Sequence, residues 1–135
     1  MYLSQLEYIL LSKMSEKIIS NIDDSEIITE KEIKEILNLI NDAQNKYELI
    51  SALDTLNYSF SVLLSEIRVK KRNVLTGIFE IKPKLAEEKS VLEKKLDAEP
   101  EYAKYKEKEE YLFQIIEHIN NLKNNITWLI REENE

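Results

Sequence analysis

LFQIIEHINNLKNNITWL, residues 112–129, decides the fold class. Its apolar anchors are Leu112, Ile115, Ile119, Leu122, Ile126 and Leu129, with gaps of three, four, three, four and three. Gaps of that kind return a side chain to the same side of an α-helix at each turn, whereas a strand alternates every second residue. A seam this regular packs at a small crossing angle on a neighbouring helix, as in a coiled coil. It is also longer than a compact bundle of this mass requires, and self-association is the simplest use for the surplus. These six residues are therefore the candidate oligomerisation face of a homo-oligomer.

Upstream of the seam, Asp97-Ala98-Glu99-Pro100 marks the clearest boundary in the chain. Proline suits the first turn of a helix, and Asp97 reads as its cap. The last helix is expected to run from Pro100 to Arg131. The helix before Asp97, with Leu85, Leu92 and Leu96 along its seam, is its expected antiparallel partner.

The rest of the chain is also helical in pattern. Leu3, Leu6, Ile9, Leu10, Met14 and Ile18 predict a first helix ending near Asn21, before the turn-prone residues IDDSE. Thr29 followed by Glu32 has capping-box spacing, and Ile33, Ile36, Leu37 and Ile40 give a second helix its stripe. From Tyr47 a third helix is predicted through Leu53, Leu56, Phe60, Leu64 and Ile67, with a bend or break between Gly77 and Pro83. The expected architecture is all-α and a single domain. It has N-terminal helices over residues 1–46, a long helix over 47–96 broken near 77–83, and an assembly helix over 97–135.

Composition removes several classes of function. The 135 residues include no cysteine and one histidine, His118, so disulfides, thiolate chemistry and Cys/His zinc sites are excluded. A di-metal site in a helical bundle uses Glu and His three residues apart, and position 115, three before His118, is Ile. The acidic pairs Glu87-Glu88, Glu109-Glu110 and Glu132-Glu133 alternate with lysines, which is the pattern of a solvated helix face. No Gly-rich phosphate loop or nucleophile motif occurs. The expectation is a protein without catalysis, cofactor or metal. No apolar run reaches the roughly 20 residues of a membrane span, and the first residues lack the basic start of a signal peptide. The expected location is cytoplasmic.

One stretch departs from this acidic background. Arg68, Lys70, Lys71 and Arg72 fall within five positions of a chain whose net charge is -7. No acid lies inside the run; Glu66 and Glu80 are the nearest along the chain. At about 100° per residue, Arg68 and Arg72 stand together, Lys70 projects nearly opposite, and Lys71 falls within the apolar arc of Phe60, Leu64 and Ile67. Two readings fit. The cations are a solvated helix turn, with Lys71 snorkelling from a packed face. Alternatively, they are phosphate contacts, repeated by self-association around one nucleic-acid backbone. Tyr58, Phe60 and Phe79 flank the run as candidates for base stacking, although Phe60 has the spacing of a core residue.

Lys70-Lys71-Arg72 followed closely by Gly77 resembles an element of the UvsY-type recombination mediator proteins of tailed phages. The stretch from Leu96-Asp97-Ala98-Glu99 through Lys104 to LKNNITWLIRE (Leu122–Glu132) is similar to the last helix of that family. Asn124 and Asn125 stand where the family commonly has Ser-Arg, and Ile126-Thr127-Trp128 replaces its Gly-aromatic pair. The resemblance implies an all-helical, ring-forming homo-oligomer that binds single-stranded DNA without sequence preference. It further implies partners, a RecA-like recombinase and a single-strand-binding protein that the recombinase displaces. Lys70 and Arg72 match the family's DNA-contacting pair, and Leu112 to Leu129 match its assembly element.

The functional expectation is thus a non-enzymatic recombination mediator with Arg68, Lys70, Lys71 and Arg72 on DNA. The alternative is a small helical interaction factor, such as a phage-encoded inhibitor or coiled-coil scaffold, that binds only protein.

Overall fold

Each helix begins where a side chain or a proline can deal with the unpaired amides of its first turn. The structure is a computed structural model that describes residues 3–22, 27–78 and 99–134. Ser4 starts α1 (Gln5–Asn21) with a full capping box: its hydroxyl accepts from the Glu7 amide at 3.1 Å, and the Glu7 carboxylate accepts from the Ser4 amide at 3.2 Å. Thr29 caps α2 (Glu30–Asn41) by accepting from the Glu32 amide. Asn45 does the same for α3 (Lys46–Ile78), accepting from the Glu48 amide at 2.9 Å, while Glu48 reaches back to the Gln44 amide. NDAQN, which lacks Gly and Pro, thus ends one helix and caps the next through an asparagine side chain. Pro100 is the first residue of α4 (Pro100–Asn134), and the Glu99 carbonyl accepts from the Ala103 amide. The cap position is therefore Glu99; Asp97 lies outside the described residues.

Among the described residues these four helices account for the fold, and no strand occurs. The dominant packing is α3 on α4. Their cross-links run in opposite senses along the two helices: Lys46 with Glu133, Asp54 with Lys123, Asn57 with Asn120, and Lys71 with Glu109. The pair is antiparallel. On α3 the cross-linking residues occupy an arc of about 100°, beside the apolar arc that faces the core. α2 folds back on α3 through residues 42–45, and α1 lies against both α4 and α2.

The core follows from the apolar periodicity. Leu49, Leu53, Leu56, Phe60, Leu63, Leu64 and Ile67 of α3 are buried with Leu112, Ile115, Ile119, Leu122 and Ile126 of α4. Leu11 and Ile18 of α1 and Ile33, Ile36, Leu37 and Ile40 of α2 join it, together with Leu3, Ile28 and Ala52. Each such side chain contributes about 1.5–3 kcal/mol by leaving water.

Helix lengths determine what this core cannot cover. α3 and α4 have 33 and 35 residues, about 50 Å each, against 17 for α1 and 12 for α2. Burial stops at Ile67 on α3 and at Lys108 on α4; no described side chain within 68–74 or 99–107 is buried. Beyond that level, among the described residues, the α3–α4 pair continues as a two-helix arm.

The seam of the last helix packs on α3; its expected partner, residues 85–96, lies outside the described residues. Five of the six seam residues are buried within the single chain and only Leu129, at 46% exposure, is open. Their burial is already accounted for by α3 and its neighbours, so the surplus inferred from sequence is small. α3 is helical through Gly77 to Ile78; the remainder of the span expected to bend or break, up to Pro83, lies outside the described residues.

Candidate nucleic-acid interface

The basic run sits on the α3 side of the arm, immediately past the last buried residue, Ile67. Helical geometry distributes the four cations as the spacing predicts. Arg68 and Arg72 are exposed, whereas Lys70 and Lys71 are half-buried on the two edges of the apolar arc. Lys71 is on the edge facing α4. Lys70 is on the other edge, and among the described residues its ammonium makes no ion pair or hydrogen bond.

Packing adds a residue that the run itself gives no hint of. Glu109, from the facing turn of α4, accepts a hydrogen bond from Lys71 Nζ at 2.7 Å and lies 3.5 Å from Arg68 Nε. Its side chain is 16% exposed, against 48% for Arg68 and 24% for Lys71. Burial disfavours the charged form of Glu109, but the hydrogen bonds and charges of Lys71 and Arg68 outweigh it and hold the carboxyl below the ordinary carboxylate value. The expectation of a run without an acid holds along the chain and fails in space. Among the described residues, Arg68 and Lys71 pair with Glu109 across the helix interface. Nothing in the run signals this partner, which only the antiparallel packing of α3 on α4 brings to it.

Aromatic rings of α4 support the same two cations. The Arg68 guanidinium lies 4.9 Å from the centre of the Phe113 ring, and Lys71 Nζ is 5.8 Å from that of Tyr102. Of the rings expected to stack, Phe60 is fully buried and Tyr58 is exposed, while Phe79 lies outside the described residues. Among the described residues the rings that meet the run's cations are Tyr102 and Phe113, on the other helix. Over residues 68–78 and 99–107 the arm carries six Lys or Arg and three Glu, so it is cationic in an acidic chain.

Lys108 marks the junction of arm and core. It occupies the seam position one turn before Leu112 and is 4% exposed, with its ammonium 5.8 Å from the Tyr105 ring centre. His118 is half-buried on α4, and its Nε2 has no hydrogen-bond partner among the described residues. Among the described residues no three His, Asp or Glu side chains cluster as metal ligands, and no helix is long and apolar enough to cross a membrane.

No family model matches the chain, and comparison with curated proteins and with solved structures finds no match either.

Proposed function

We propose that this chain binds single-stranded DNA without sequence preference through its α3–α4 arm and acts as a non-enzymatic recombination mediator. In that role it helps a RecA-like recombinase replace single-strand-binding protein, working as a homo-oligomer. The observation that carries the reading is the arm: cations and aromatic rings interleave on a two-helix projection that the hydrophobic core does not need. Cations supply contacts to the phosphate backbone, and rings such as Tyr102 on the arm and Phe113 at its base supply faces on which any base can stack. A local basic surface sets the field at a bound strand even when the net charge of the chain is acidic. Lys70 and Arg72 point about 160° apart on an ideal helix, so one strand on one face meets one of them. A second strand segment or a second subunit meets the other.

A protein-only interaction factor is the competing reading. It is favoured by Glu109, which neutralises part of the run, and by exposed Leu6, Ile9 and Leu10 on the outer side of α1. Fluorescence anisotropy of a labelled oligothymidylate, titrated with salt, separates the two. DNA binding at about 50 mM salt that weakens linearly in log salt, at about 0.7 per phosphate contacted, supports the mediator reading. No binding under those conditions rejects it in favour of the protein-only factor.

A further inference from the structure

The Glu109 carboxylate bridges two cations as one anionic oxygen pair, 2.7 Å from Lys71 and within 3.5 Å of Arg68. A phosphodiester presents the same chemistry: two anionic oxygens on one centre, matched to a guanidinium and an ammonium. We propose that Glu109 is an internal stand-in for a backbone phosphate, an autoinhibitory contact that DNA must displace to engage Arg68 and Lys71. This inference rests on the proposed DNA-binding role of the arm and adds its regulation.

Three features of the arm make displacement practicable. Arg68 and Lys71 lie past Ile67, the last buried residue of α3, so little apolar packing opposes their shift away from Glu109, which sits at the edge of the core beside buried Lys108. Phe113 and Tyr102 lie beside the two cations, so rings continue to orient Arg68 and Lys71 when the carboxylate leaves. The competing anion is tethered, whereas DNA offers many phosphates. The closed pairing thus lowers affinity for short or isolated anions more than for a continuous strand.

The test compares the full chain with Glu109→Gln, which keeps size and helix propensity and removes the charge. Glu110→Gln removes the same charge one residue away, on an exposed side chain. Binding of labelled oligothymidylate is measured by anisotropy over a salt series, with helicity checked by circular dichroism. Glu109→Gln is expected to bind about three- to fivefold more tightly than the parent at low salt. Its salt slope is expected to steepen by about 1.4, for two cations on a single strand. Glu110→Gln is expected to gain less, and Glu109→Gln is expected to gain nothing in an Arg68→Gln, Lys71→Gln background.

Equal gains for the two single variants overturn the proposal, as do an unchanged or weaker affinity for Glu109→Gln and a loss of its helicity. The last result makes the contact a structural clip between the helices. If the parent binds and the variant matches it, this inference alone fails. When neither binds, the DNA-binding role fails with it.

Discussion

Replacing Ile119 by Ala probes the finding that the seam of the last helix is used up inside one chain. Ile119 is fully buried between neighbouring helices, and Ile115 and Leu122 bracket it on the same side. The change deletes three carbons, worth about 2.4 kcal/mol at about 0.8 kcal/mol each. Incomplete collapse of the cavity raises the loss to about 3–4 kcal/mol. With an unfolding entropy of about 2.1 cal/mol/K per residue, this corresponds to a fall in Tm of about 10–14 °C for a chain of 135 residues. Urea unfolding followed by far-UV circular dichroism measures it, at two protein concentrations about a hundredfold apart. Intrachain burial predicts the same loss at both concentrations. A loss that appears only at high concentration, with a parent midpoint that moves with concentration, would refute the reasoning and return the seam to self-association.

Two other predictions concern the arm. Because the folded value of Glu109 lies below its ordinary one, its ion pairs stabilise the fold above the ordinary carboxylate range and lose that effect as pH falls through the folded value. Glu109→Gln is therefore expected to cost about 1 kcal/mol or less at neutral pH and to converge with the parent in acid, as read by urea unfolding over a pH series; a constant difference across the series contradicts the ion-pair account. Amides of residues 68–74 and 103–107 are expected to exchange with deuterium faster than those of 53–67 and 112–126, since no described side chain of the arm is buried. Uniform protection along α3 contradicts an arm that extends past the core.

Periodicity made the helices legible because burial on one face imposes spacing on the residues of that face. Leu112 through Ile126 and Leu49 through Ile67 are buried as their gaps require. The caps at Thr29 and at Pro100 follow from local chemistry that needs no tertiary information. What a stripe does not encode is its partner. Leu85, Leu92 and Leu96, outside the described residues, offered the last helix a neighbour by proximity in sequence, whereas its seam is buried with the apolar face of α3. The same limit hid Glu109: it lies 38 residues from Lys71 along the chain, and only the antiparallel register brings them together. The directions of Arg68, Lys70, Lys71 and Arg72 were readable, since helical geometry alone sets them. Their charge state as a surface was not, because a neighbouring helix supplies the counter-charge.

The central claim is that the arm binds single-stranded DNA through the basic run. Lys70→Ala combined with Arg72→Ala tests it most directly, because neither side chain pairs with Glu109. Anisotropy of a labelled oligothymidylate over a salt series, alongside light scattering of the free protein, is the measurement. The predicted result is weaker binding with a salt slope shallower by about 1.4, and scattering mass unchanged. A double variant that binds with the parent's affinity and slope contradicts the account.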